Sequence, residues 1–297
     1  MTNLSFLYQF LKNRSISENI LRFIGPMAVG FIFLAAFRIG RKVLTDGLTI
    51  ALFLFGALST YFIRSPWIFP TVLLMGGAVS ILSSNEKNLF NRITIRAPYR
   101  YLVLFALFAL GTLLLSLITH NLLVTLFEAF YRYGYLVFGG GQVVVPVMIA
   151  ELVETRAYMT NEEFLTGYGL VQGLPGPMFS FSAYAGGMAA RGEGAFIQVL
   201  ASLLSGVGIF LPGTLLIFFI YPVWEELKQI QAVKVSLKGI NAVAGGLITA
   251  AAILLLQKSG ITGEHLTVVG LTIVVLATKK IPAPLVVLAV LVAGIVF

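Results

Sequence analysis

"LRFIGPMAVGFIFLAAFRIGRK", residues 21–42, returns in altered form as "LKGINAVAGGLITAAAILLLQK", residues 237–258. A constant shift of 216 positions superposes Leu21 on Leu237, Ile24 on Ile240, Ala28 on Ala244, Gly30 on Gly246, Ile32 on Ile248, Ala35 on Ala251, Ala36 on Ala252 and Lys42 on Lys258. Without a gap, the same shift places Arg64 on Lys280 and Pro66 on Pro282. The chain therefore carries an internal repeat. Loop charges orient its two copies. Arg38, Arg41 and Lys42 follow the first apolar segment of the front copy, where the back copy keeps only Lys258. Lys279 and Lys280 lie between the last two segments, where the front copy has only Arg64. Basic loops stay on the cytoplasmic side, so the two copies point in opposite directions. The basic stretch 84–98, with Lys87, Arg92 and Arg96, then also falls inside, whereas Lys12, Arg14 and Arg22 of the N-terminal tail fall outside.

Composition fits that reading. Of 297 residues, 58% are hydrophobic and 11% charged, with mean hydropathy +0.96. Soluble domains carry about 25% charged residues. Apolar runs long enough to span a bilayer suggest segments at 20–38, 48–64, 66–83, 99–118, 122–153, 161–190, 195–222, 234–256, 264–279 and 282–296. The runs are continuous rather than alternating, which argues against a β-barrel. The expected fold is an all-α integral membrane protein of about ten helical segments with two discontinuous helices, built as an inverted repeat. The net charge of +8 then reports lipid headgroups and loop orientation rather than nucleic acid. The opening residues show no cleavable signal pattern. Cysteine is absent, and His120 and His265 stand alone at expected membrane ends, so no metal, cofactor or nucleophilic centre is expected.

Two segments are too long for simple spans, and both are interrupted. "VFGGGQVVVP" (137–146) breaks the first and "GLVQGLPGPMFSFSAYAGG" (169–187) the second. Irregular backbone at membrane depth survives where it is buried in protein or lines a watery cavity. A half-helix that restarts after a break presents free N–H groups and a positive dipole end, which attract anions. Gly139, Gly140, Gly141 and Gln142 at one break, and Gln172, Gly173, Pro175, Gly176 and Pro177 at the other, are the expected contacts for a small oxyanion. Ser180, Ser182 and Tyr184 add neutral donors. The following "AYAGGMAARG" (183–192) reads as close helix packing, and Pro212 in "FLPG" (210–213) as a simple kink.

Charges inside spans are costly and informative. Glu128 and Arg132, spaced i and i+4, can pair on one helix face. They are candidates for charge coupling, with Glu163 a third. Glu151, Glu154, Glu162 and Glu163 read as loop or helix-start residues, with Thr160 or Asn161 as N-cap.

"FGGGQVVVPVMIAELVE" (138–154), "TNEEFLTGYGLVQGLPGPMFSFSAYAGG" (160–187) and "FLPGTLL" (210–216) resemble the chromate transporter family over about residues 125–297. Gly139–Gly141 with Pro146, and Gln172 with Pro175, Gly176 and Pro177, match the two breaks of that family's repeat unit. The resemblance implies efflux of chromate, a tetrahedral dianion shaped like sulfate, through the plasma membrane and coupled to protons. It also implies a departure. Residues 1–83 are similar only to the back half of a first repeat, 84–98 form a basic linker, and 99–297 make a near-complete second repeat. The chain holds one pair of breaks where long family members hold two. Short members work in pairs, so a homodimer or a second subunit is the implied partner. A non-transporting or partner-dependent subunit is the alternative to a self-sufficient transporter, and an intramembrane enzyme is disfavoured.

Overall fold

The computed structural model describes residues 2–12, 20–63, 68–86, 89, 97–136, 144–174, 176–258 and 260–296. Gly139, Gly140, Gly141, Gln142 and Pro175 lie outside the described residues, as do Arg64, Pro66 and most of the 84–98 linker. The described residues are helical, with no strand among them. Their order is α1 (Thr2–Lys12), α2 (Ile24–Val43), α3 (Gly47–Phe62), α4 (Ile68–Leu82), α5 (Tyr99–Thr119), α6 (Leu122–Tyr135) and α7 (Val144–Met148), which continues as a π-helical stretch over Ile149–Thr155. There follow α8 (Asn161–Gln172), α9 (Phe181–Ala189), α10 (Ala195–Ile220), α11 (Gln231–Lys258), α12 (Gly263–Ala277) and α13 (Ala283–Val296).

Side-chain caps set several helix starts. Asn121 accepts from the backbone of Leu123 and Val124 at 3.0 and 3.3 Å. Thr160, not Asn161, caps α8, and it does so reciprocally with Glu163. The helix α10 runs through Pro212 without interruption. Four helices have the length and apolar composition to cross a bilayer: α2, α5, α10 and α11. The helices α3, α4, α12 and α13 are shorter and equally apolar. No residue of α5 is buried, which suits a helix whose whole outer surface meets lipid.

The sequence repeat is a structural repeat. Its shift carries Gly47, the first residue of α3, onto Gly263, the first residue of α12. The N-caps also correspond. Asp46 accepts from Thr49 N at 2.9 Å and Thr262 from His265 N at 3.2 Å. Lys238 donates to the exposed Asp46 carboxylate and, with the cap bond, holds it down at about 2. Packing is reciprocal: α2 lies on α12 as α11 lies on α3, and α13 touches α2 as α4 touches α11. Such exchange is the mark of a two-fold relation.

The relation is inverted. Along α2 and α12, contacts ascend together, from Arg22 with Glu264 to Arg38, whose Nη2 donates to the Leu276 carbonyl at 2.8 Å. Between α2 and α11 the order reverses. Leu21 and Arg22, at the start of α2, share a cavity with Lys258 at the end of α11, while Ile39 lies near Gly245 in the middle of α11. The two repeat-related helices are thus antiparallel.

Glycine permits the equivalent crossings. A Cβ on Gly30 would stand 2.8 Å from Thr272 Cβ and 3.1 Å from the Val269 carbonyl. One on Gly246 would collide with the carbonyl of Phe53, the repeat equivalent of Val269. Gly270 has open space beside it. Gly246→Ala is therefore expected to destabilise the purified protein by about 1–3 kcal/mol through overpacking. Gly270→Ala is expected to stabilise it by up to about 1 kcal/mol through helix propensity. Thermal unfolding in detergent reads both signs.

Candidate functional site at the second helix break

The second break begins where α8 ends at Gln172. Gly173 N donates to the Leu170 carbonyl at 3.0 Å, and its bare Cα faces α13, where a Cβ would stand 2.9 Å from Val287. Gly176 has φ +145°, a conformation open only to glycine, and the chain turns there. Pro177 is extended, and the chain resumes in a short 3-10 turn, Met178–Ser180, that leads into α9. No side chain caps this restart. Its first amides therefore remain available to another acceptor. Ser180 Oγ donates to the Pro177 carbonyl at 2.8 Å, bracing the turn.

Gln172 lines a cavity of about 430 Å³ together with Arg38 of α2 and Lys279, which follows α12. Both cations are exposed. Ala283, the first residue of α13, also lines this space. Two positive side chains and an amide thus line one space at the end of the α2–α8–α12 seam. That set favours an anion. Ser182 and Tyr184 sit elsewhere. Both are fully buried in α9, and the Tyr184 hydroxyl donates to the Glu163 carbonyl at 2.9 Å, tying α9 to α8. The small residues beyond them pack closely, as their pattern indicated: a Cβ on Gly187 would meet Ser202 and Ser5 at 2.5 Å.

The charged candidates separate into two groups. Glu163 is 1% exposed. Its carboxylate accepts from Thr160 N at 2.9 Å and from Arg191 Nη1 at 2.8 Å, so its charge is committed to a cap and an ion pair. Glu128 and Arg132 pair as their spacing suggested, Nε to Oε1 at 2.7 Å and Nη2 to Oε2 at 3.2 Å. They belong to a larger set. Arg132 also donates to both oxygens of Glu151, at 2.9 and 3.0 Å, and Arg156 Nε donates to Glu151 Oε1 at 3.0 Å.

This corrects the reading of Glu151 as a loop residue. It is 4% exposed, inside the π-helical stretch. Its two oxygens join the limbs on either side of the first break, α6 before it and the π-helical stretch after it. The four formal charges cancel, which makes burial tolerable. Glu154, one turn on, pairs with Lys258 of α11. No local pattern signals Glu151, Arg38 or Lys279 as neighbours of the breaks, because Arg132 and the residues around Gln172 come from other segments. Among the described residues no cluster of His, Asp or Glu has the grouping of a metal site.

The sequence model of the chromate transporter family matches residues 124–295, which contain both breaks and the buried charge set. The chain belongs to the chromate transporter family. A "Probable chromate transport protein" of Synechococcus elongatus is 24% identical over 280 residues, covering 92% of this chain and 67% of that protein. The chromate transport protein of Pseudomonas aeruginosa is 30% identical over 143 residues, 48% of this chain and 32% of its own length. An uncharacterised Bacillus subtilis transporter, YwrA, is 24% identical over 182 residues, 58% of this chain and 96% of its own. The chain thus matches between about a third and two thirds of the named chromate transport proteins and nearly all of the short relative. No solved structure matches.

Removing Arg132 leaves two carboxylates facing each other away from water. Arg132→Gln is expected to lower stability by about 3–5 kcal/mol. Glu154→Gln, which breaks a half-exposed pair, is expected to change it by less than about 1 kcal/mol. Denaturation of purified protein in detergent distinguishes the two.

Proposed function

We propose that this chain carries chromate, or a tetrahedral oxyanion such as sulfate, across the plasma membrane as a multi-pass protein, in exchange for protons. The observation that supports this most is that Gln172, where α8 enters the second break, lines a cavity bordered by Arg38 and Lys279. Tetrahedral anions are bound by amide N–H groups at helix starts and by cations that need not approach as a fixed pair. In this reading Gln172, Gly173, Pro175, Gly176 and Pro177 form one wall of the anion site, and Gly139, Gly140, Gly141 and Gln142 the facing wall. Ser180 supports the turn. Ser182 and Tyr184 hold α9 in place. Glu128 and Arg132, with Glu151, form the charge set through which protons are coupled, and Glu163 fixes the entrance of α8. No cofactor, metal or catalytic residue is invoked.

A second reading follows from coverage. The chain matches 32% of the Pseudomonas protein, and in this second reading it is a non-transporting fragment or a partner-dependent subunit of a split oxyanion transporter. Inside-out vesicles bearing the chain, with insertion checked by blot, test both readings. Uptake of labelled chromate that needs a proton gradient and is competed by sulfate supports transport by the chain itself. Its absence from well-inserted protein supports the partner-dependent form. In an active preparation, Arg38→Gln and Lys279→Gln are each expected to raise the half-saturating chromate concentration about tenfold, the equivalent of about 1.4 kcal/mol. Gly140→Leu and Pro175→Ala are expected to abolish uptake with insertion unchanged.

A further inference from the structure

The helices that bound the cavity beside Gln172 bound a second cavity at their other ends. It measures about 440 Å³ and is lined by Arg22, Gly25 and Pro26 at the start of α2, by Glu162 and Thr166 at the start of α8, and by His265 in the first turn of α12. Lys258, at the end of α11, also borders it. The cavity beside Gln172 takes later residues of the same helices, Phe31 and Arg38 of α2 and Leu276 of α12 among them. Along α2 the two spaces are separated between Pro26 and Phe31, about 8 Å at 1.5 Å per residue. The hydrocarbon core of a bilayer is about 30 Å thick, so the barrier left between the cavities is thin. It is also dry and closely packed. Ile24 and Met27 are 0% exposed and Leu165 2%. A Cβ on Gly169 of α8 would stand 2.7 Å from Ile24 Cγ2 and 3.3 Å from Met27 Cε, so α8 rests directly on α2 through a glycine. The two spaces differ in charge. Beside Gln172, Arg38 bonds the Leu276 carbonyl, and neither it nor Lys279 forms an ion pair among the described residues. In the second cavity both cations are already matched, Arg22 by Glu264 and Lys258 by Glu154. An anion is therefore drawn more strongly to the first space than to the second.

We propose that the two cavities are the mouths of one anion path along the α2–α8 seam, that the contact of Ile24 and Met27 with Gly169 is its closed gate, and that the cavity at Arg22 and Lys258 is the low-affinity mouth from which the anion leaves. The inference rests on the transport reading and adds to it a path and a direction. Basic loops mark the cytoplasmic side, so Arg38, Arg41, Lys42, Lys279 and Lys280 place the first mouth there and the second on the far face. The anion binds where cations are unmatched and is released where carboxylates already hold them, which makes the movement outward. The gate itself is apolar. Helices that touch through a glycine in a bilayer are held by van der Waals contact, and a contact of that kind can part and re-form as α8 lifts from α2.

The chain has no cysteine, and a Cβ on Gly25 would stand 3.7 Å from Leu165 Cβ, a separation that suits a disulfide. Gly25→Cys combined with Leu165→Cys is expected to cross-link α2 to α8 under mild oxidant. Cross-linking is expected to lower chromate uptake by inside-out vesicles at least tenfold, with recovery on reduction, whereas each single variant is insensitive to the oxidant. Uptake that survives complete cross-linking would overturn the gate and leave the transport reading standing. A second readout needs no transport. With a membrane-impermeant maleimide, Gly25→Cys alone is expected to label at least tenfold faster in right-side-out vesicles, and Ala35→Cys alone at least tenfold faster in inside-out vesicles. Labelling of both from one face, or of either from neither, would overturn the path. Absence of uptake by the parent chain would count against the transport reading, and the sidedness of labelling then decides the path by itself.

Discussion

Close approach of backbone to backbone at two glycines is the constraint on which this architecture rests. Gly30 and Gly246 occupy equivalent places in antiparallel helices, and each admits the carbonyl of an equivalent residue in the neighbouring helix. Within a bilayer, helices gain little from hiding apolar surface, because lipid is as apolar as leucine. They associate through van der Waals contact over small residues. The two glycines set how near α2 comes to α12 and α11 to α3. Those distances in turn fix the crevices into which the first broken helix and the second break are placed.

Around that frame the two breaks are held by different means. The first is clamped by charge. Arg132 and Glu151 reach across it from opposite limbs, and the neighbouring Glu128 and Arg156 bring the total to neutrality. The second is set by stereochemistry, with a left-turning Gly176 and an extended Pro177, and by the docking of α8 on α2 and α13. A clamp made of ion pairs can be loosened by protons. A turn fixed by glycine and proline cannot, and it offers a constant arrangement of amides.

The inverted repeat also explains an asymmetry that a list of residues would hide. Equivalent faces of α2 and α11 differ in what lies on them, although their small residues are nearly the same. One face is covered by a segment that brings its own carboxylate to Lys258, and the other is an open cavity between cations. Cavity, charge and repeat therefore describe one feature of the molecule.

Much of this was decided by sequence alone. Hydropathy located the apolar helices to within about five residues, since an apolar segment in a bilayer must satisfy its backbone internally, but it gave no sign of α1 (Thr2–Lys12). Thr160, one of two candidate N-caps, marked the start of α8, and the constant shift of 216 with its opposed loop charges determined an inverted repeat. The i, i+4 spacing of Glu128 and Arg132 gave their pairing, because one helical turn brings them together. Tertiary structure alone decided the rest. Glu151 looked like a loop acid because Arg132, which it bonds through both oxygens, lies 19 residues upstream on another limb. Arg38 and Lys279 looked like topology signals until α2, α8 and α12 converged. Ser182 and Tyr184 looked like ligand donors until α9 turned them inward. Local sequence encodes backbone periodicity and capping, whereas which side chains share a cavity depends on how helices far apart in the chain cross.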